Sequence, residues 1–169
     1  LKRKARMESL FLNLIRILKQ QNKILAELLG VTEEHNQALR KNNPNAVLST
    51  AYKQEELSKK LKSQDKKLEE AKRQLAGEYG MEEKAVLSRF VQYAPEPVAA
   101  ELKKLSQSLR EKLQKLSYIN SLNGALARQG QVFAEKLIRI IAPKGGNTYI
   151  GSGRLKKENK PLSIFDTTI

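Results

Sequence analysis

The chain has 169 residues, 32 basic and 18 acidic side chains, a formal net charge of +14, and neither cysteine nor tryptophan. This length supports one domain with a modest core, and the lack of cysteine excludes disulfides, thiol catalysis and cysteine-ligated zinc while fitting a reducing compartment. Charged residues at 30% and aromatic residues at 5% favour long helices or coiled coil over a dense globular core.

The basic excess is concentrated at the two ends. Residues 1–7 carry four basic side chains and no acid, and residues 136–169 carry seven basic and two acidic; the rest of the chain mixes 21 basic with 16 acidic. Mixed signs along the middle are the pattern of a solvated helix surface. No apolar run reaches the roughly 18–20 residues of a membrane span. The segment behind the basic start is interrupted by Asn13, Arg16 and Lys19, so it reads as an amphipathic helix and not as a signal peptide.

The first predicted helix runs from about Met7 to Lys41. Met7, Phe11, Leu14, Leu18, Gln21, Leu25, Leu28, Thr32, His35 and Leu39 alternate by four and three residues, which is a heptad seam. Leu10, Ile17, Ile24 and Val31 form a second row beside it. Two rows make a stripe wide enough for two neighbours, so this helix is expected at the centre of a bundle. His35, the single histidine, reads as a polar residue on the seam or its edge, since no cysteine or second histidine can share a metal with it.

Asn42-Asn43-Pro44-Asn45 is the first turn, with Asn43 as cap and Pro44 at the first helical position. So short a connection makes the second helix antiparallel to the first. That helix, about Pro44 to Ala76, has a thin seam of Val47, Leu57, Leu61, Leu68, Ala71 and Leu75, with Gln54 and Gln64 at seam positions. It is expected to be the most exposed long helix. Gly77 to Pro97 then breaks the pattern, and Val86, Leu87, Phe90 and Val91 would line one face of a short helix folded across one bundle end.

The third long helix, about Pro97 to Ala142, leads through Val98, Leu102, Leu105, Leu109, Leu113 and Leu116 into Ile119, Leu122, Leu126, Phe133, Leu137 and Ile140/Ile141. At about 1.5 Å per residue it spans roughly 65–70 Å, against roughly 50 Å for the first helix. If the two start level, its end overhangs and leaves an apolar face without a partner. A bundle that splays to cover this face itself satisfies the same pattern. Pro143 and Gly145-Gly146 end the helix, and the segments Thr148-Tyr149-Ile150 and Leu162-Ser163-Ile164-Phe165 either pair as a small hairpin or stay loose until bound. The expected fold is thus all-α: an elongated antiparallel helical bundle or coiled coil of three long helices, a short helix in the connection and a glycine-containing C-terminal tail. Residues 1–142 form the bundle domain and residues 143–169 a flexible or hairpin-like tail.

No catalytic, metal or cofactor site is read. The glycines of residues 145–153 follow a helix, whereas a dinucleotide loop follows a strand and opens one, and GxxxxGK[ST] does not occur. Lys59-Lys60 and Lys66-Lys67 share their helix with Glu55, Glu56, Asp65, Glu69 and Glu70, unlike the single-sign stripe that binds phosphates; no specific nucleic-acid partner is expected.

A long amphipathic hairpin thus leads to a third helix carrying Asn123-Gly124-Ala125-Leu126, then Asn147-Thr148-Tyr149 with Gly151 and Gly153, and finally Leu162-Ser163-Ile164-Phe165-Asp166. In helix order and in these motifs the chain resembles the FlgN family of flagellar export chaperones. The specific part of the likeness spans residues 116–166. The resemblance implies a cytoplasmic, non-enzymatic chaperone of the flagellar type III export pathway. Such a protein binds the C-terminal helices of hook-associated (hook–filament junction) proteins, keeps them from assembling early and delivers them to the export gate. It also implies that the C-terminal part of the third helix binds the substrate protein, with Leu126, Phe133, Leu137 and Ile140 as anchors and Ile141 beside them, and that Tyr149 matches the tyrosine that docks on the gate. The strong basic balance, and Ile150 where a small residue often follows that tyrosine, depart from the family pattern. The free protein is expected to be a monomer or a weak homo-oligomer. The rival readings are a structural coiled-coil scaffold that self-associates through the same seam and a basic nucleic-acid-binding protein.

Overall fold

A computed structural model describes residues 2–82 and 85–141, and every element in it is a helix: α1 (Lys2–Arg40), α2 (Pro44–Tyr79), α3 (Leu87–Val91) and α4 (Glu96–Ile141). The all-α expectation therefore holds. The chain divides into two compact units, Leu1–Ala127 and Arg128–Ile169. The first contains α1, α2, α3 and α4 as far as Ala127; the described part of the second is the C-terminal portion of α4.

Helix α1 begins five residues before the expected Met7. Residues 2–6 contain only lysine, arginine and alanine, all good helix formers, and Arg6 Nε lies 3.1 Å from a carboxylate oxygen of Glu78 on α2. The turn into α2 is built as expected at Asn43 and Pro44. Asn42 adopts φ 48°, the left-handed conformation that asparagine tolerates best after glycine. The amide N–H of Asn43 then donates to the Ala38 carbonyl at 3.0 Å, and that of Asn42 to the Leu39 carbonyl at 3.2 Å, the paired bonds of a Schellman stop. One residue on, the Asn43 side chain accepts the Ala46 amide at 3.1 Å and caps α2.

Helix α2 does not stop at Gly77 but continues to Tyr79. A glycine inside a helix costs about 1 kcal/mol. Tertiary contacts outweigh that here, because Leu75 and Ala76 are buried and the Tyr79 ring packs at 6.2 Å from Phe11 and 4.9 Å from Tyr93. The stop comes at Gly80, whose φ of 64° lets the chain turn away.

Within the first unit α2 runs antiparallel to α1, since His35 meets Thr50, Thr32 meets Gln54 and Gln21 meets Asp65. α4 runs parallel to α1: Lys19 pairs with Glu101 at 3.0 Å, Asn22 with the Leu105 carbonyl at 3.1 Å and Asn36 with Asn123 at 2.7 Å. The seam predicted for α1 is the core. Phe11, Leu14, Leu18, Leu25, Leu28 and Thr32 are buried, as is Gln21, while Met7, His35 and Leu39 at the ends are half-buried. One apolar cluster gathers Phe11, Leu14 and Leu18 with Leu75, Phe90 and Leu102; a second gathers Ile24, Leu25, Leu28 and Leu57. Each such side chain contributes about 1.5–3 kcal/mol on burial.

The short helix forms as α3, with Phe90 fully buried and Leu87 and Val91 packed against the first cluster. Val86 was expected on that face but is 58% exposed, because it stands before the helix with extended backbone as its N-cap. The expectation that α2 is the most exposed long helix also fails. Five of its 36 residues are buried, against Ala99, Leu102 and Asn123 in the 46 of α4. The difference comes from the second-unit portion of α4, where every residue from Arg128 to Ile140 is exposed.

Buried polar side chains hold the far half of this unit in register. The Thr32 hydroxyl donates to the Leu28 carbonyl at 2.7 Å and accepts from Gln54 Nε2 at 2.9 Å. Asn123 Nδ2 donates to the Thr32 carbonyl at 3.3 Å, and Asn123 Oδ1 accepts from Asn36 Nδ2 at 2.7 Å. No described buried side-chain polar atom lacks a partner.

Two sets of substitutions test this account by urea unfolding. A Cβ at Gly30 would meet nothing within 4 Å, so Gly30→Ala should raise stability by about 0.5–1 kcal/mol, whereas Gly80→Ala, at φ 64°, should lower it by about 1–2 kcal/mol. Asn123→Ala should cost about 1–3 kcal/mol, since it strands the buried Thr32 carbonyl and removes the partner of the half-buried Asn36 amide.

Candidate functional site

Helix α4 is the most amphipathic of the long helices. One heptad row runs through its first-unit portion as Val98, Leu102, Leu105, Leu109, Lys112, Leu116, Ile119, Asn123 and Leu126, and the same four-and-three alternation continues through Gly130, Phe133, Leu137 and Ile140. In the first unit the row is buried or half-buried at every position. Its two polar members are accounted for: Lys112 Nζ donates to Asn22 Oδ1 at 3.0 Å, and Asn123 joins the polar layer with Thr32 and Asn36. Four residues of α1 follow Asn36 before it ends at Arg40, while α4 goes on for eighteen residues past Asn123.

In the second unit the burial pattern changes. Every residue from Arg128 to Ile140 is exposed, with Phe133 at 63%, Leu137 at 39% and Ile140 at 74%. These three fall within one face, because steps of three and four residues return a helix to nearly the same azimuth. Val132 at 51% and Ile138 at 61% widen the apolar surface on either side. Reading one stripe at heptad spacing passed over both; the raw density of Val, Phe, Leu and Ile over residues 132–141 was the signal that held them. The opposite side carries Arg128, Gln131, Glu135 and Arg139, with Gln131 Nε2 donating to Glu135 at 3.3 Å. A contiguous exposed apolar face of this kind marks an interaction surface. It offers a partner helix hydrophobic anchors at helical spacing, flanked by mostly basic charge.

The other sequence-predicted residues fall as follows. Leu126 is half-buried in the first unit, unlike the three residues after it. Ile141 is the last residue of α4, and its side chain lies outside the described residues, as do Tyr149 and the segments expected to form a hairpin. His35 sits half-buried on the seam with Nδ1 2.7 Å from Thr50 Oγ1. This hydrogen-bonded pair ties α1 to α2.

Part of the surface charge on α2 is matched within the helix. Lys59 pairs with Glu55 at 2.6 Å, Lys72 with Glu69 at 2.8 Å and Arg73 with Glu70 at 3.3 Å. The hydrogen bond from Lys59 to Glu55 and the attraction of that carboxylate raise the lysine above its ordinary pKa. Exposed pairs of this kind contribute little to stability, and acidic and basic residues are interleaved along α2. Among the described residues no helix is long and apolar enough to cross a membrane.

Comparison with known proteins gives one match. The family model described as FlgN protein aligns with residues 7–157. No curated protein and no solved structure matches the chain.

The contrast between the buried row and the exposed one predicts opposite responses to substitution. Phe133→Asp should leave the circular dichroism spectrum intact and the urea stability within about 0.5 kcal/mol, while Phe90→Ala, in the core, should cost about 3–5 kcal/mol.

Proposed function

This chain belongs to the FlgN family, which carries the general role of a flagellar export chaperone, and we propose that it serves cytoplasmically as the type III export chaperone of hook-associated proteins. On this reading the C-terminal helices of a hook–filament junction protein lie along α4 in the second unit and are anchored by Phe133, Leu137 and Ile140, with Leu126 and Ile141 at the margins. Capping those helices keeps the client from assembling early. The observation that carries the reading is the exposure of Phe133, Leu137 and Ile140 on a helix whose heptad row is covered elsewhere.

The physical chemistry suits a carrier. Anchors at three- and four-residue spacing are how an amphipathic helix is read by a helical groove or face. Each apolar side chain buried contributes about 1.5–3 kcal/mol, and ordering of client and chaperone offsets much of it, so the complex is of moderate affinity and reversible. Tyr149 would then engage the export gate, so that client capture and delivery use separate residues. The basic ends of the chain would steer it toward acidic surfaces at the membrane.

The same exposed face also fits a scaffold that self-associates, and solution mass separates the two. Light scattering of the free protein should give a monomer or a weak, concentration-dependent oligomer; a stable higher oligomer would favour the scaffold. Isothermal titration against a hook-associated protein should give one-to-one binding that Phe133→Asp with Leu137→Asp abolishes while circular dichroism is unchanged. Tyr149→Ala should keep client affinity and reduce export. Undiminished binding by the double variant would remove α4 from the client site.

A further inference from the structure

A second apolar surface lies wholly within the first unit, away from the residues assigned above to the client. Along the flank of α4 that faces neither row partner runs an open groove of about 890 Å³. Its apolar lining comes from all four helices: Leu18 of α1, Leu68 of α2, Leu87 and Val91 of α3, and Leu109 and Leu113 of α4. The α4 wall extends from Lys103 to Ser117, about 20 Å at the helical rise of roughly 1.5 Å per residue. Two large side chains on its walls remain in water, Val86 at 58% and Leu113 at 48%. Nothing in the packing of the unit requires this. The first apolar cluster closes around Phe11, Phe90 and Leu102 beneath it, and the groove is what that core leaves uncovered.

The charge around the groove selects its occupant. Lys103 and Arg110, exposed and seven residues apart, stand on the same wall of α4, and no carboxylate among the described residues lines the groove. No described acid pairs with either of them. A second copy of this chain is a poor occupant, because the chain carries a net charge of +14, and the C-terminal helix that bears its exposed apolar face carries Arg128, Lys136 and Arg139 against one acid, Glu135. Like charges brought together at an interface oppose association. We propose that this groove is a second docking site that takes one amphipathic helix of an acidic partner protein, with apolar residues seated on Leu87, Leu109 and Leu113 and carboxylates meeting Lys103 and Arg110. Binding there covers Val86 and Leu113 and gives the two cations their counter-charges. It uses none of Phe133, Leu137 and Ile140, so a client and this partner can be held at once.

The full chain contains no tryptophan, so Leu113→Trp places a single reporter in the groove, and Phe133→Trp places one on the other face. The probe is a synthetic amphipathic peptide of about 18 residues, long enough to form helix on contact, with leucine on one face and glutamate flanking it; its control carries lysine in place of glutamate. The glutamate peptide should shift the Leu113→Trp emission to the blue and leave the Phe133→Trp emission unchanged, and the lysine peptide should shift neither. Lys103→Glu with Arg110→Glu, both on the surface, should weaken the glutamate peptide at least tenfold with an unchanged circular dichroism spectrum, and 0.5 M salt should weaken it as well. Equal binding of the two peptides, or undiminished binding by the double variant, would overturn the proposal. So would a shift of the Leu113→Trp emission by decanoate alone, which would make this a pocket for small apolar anions. A shift that follows protein concentration without peptide would assign the groove to a second copy and overturn it too.

Discussion

Thr32 sets the register of three helices. Its hydroxyl lies between the Leu28 carbonyl and the Gln54 amide, and its own carbonyl accepts from Asn123, which in turn accepts from Asn36. Thr32 and Asn123 are buried, so their polar groups have little access to water as an alternative partner, and a shift of either neighbouring helix leaves several of them unpaired. Leucine seams alone do not supply this constraint. A heptad row shifted by seven residues buries nearly the same area, whereas a buried polar layer pairs in one register. His35 with Thr50 and Gln21 with Asp65 repeat the device along the α1–α2 pair.

That register has a consequence for α4. Once Asn123 is set against Thr32 and Asn36, little of α1 remains before its stop at Asn42. The heptad row of α4 nevertheless goes on through Phe133, Leu137 and Ile140. Within the second unit the helix keeps its apolar face, and every residue from Arg128 to Ile140 is exposed. Phe133, nearly two-thirds exposed, has the opposite environment from Phe90, which is fully buried. On the proposed reading, the free-energy gain that Phe90 makes on folding is left for Phe133 to make on association. A chaperone needs this division, since its stability must not depend on the surface it lends to a client.

The groove on the first unit follows from the same economy of contacts. α4 meets α1 by one row, and α3 covers only the end where Phe90 enters the core. Leu109 is shared by both apolar clusters, yet its neighbour Leu113 is in water. A bundle closed by a fourth long helix would have no such channel. Here the short α3 stands in for that helix over five residues, and the wall beyond it stays open between Lys103 and Arg110.

Much of this could be read from residue order. The four-and-three alternation from Phe11 to Thr32 identified the core, Asn43 and Pro44 marked the turn, and the motif around Asn123 together with the tail pointed to the family. Local chemistry decides these features, because heptad spacing, caps and breakers act within a few residues of one another. Other features needed the folded chain. Gly77 looked like a stop and is not one, since the ring contacts of Tyr79 with Phe11 and Tyr93 outweigh a local helix penalty. Val86 looked buried and stands outside α3. α2 looked the more exposed helix, but how much of a seam is covered depends on which neighbours reach it. Sequence by itself thus determined that the chain is helical, where its helices turn, and that apolar residues continue to the end of the last one. Only tertiary structure decided which stretch of that row is covered and which is left in water, because burial is a property of partners distant in the chain and periodicity is a property of one helix alone.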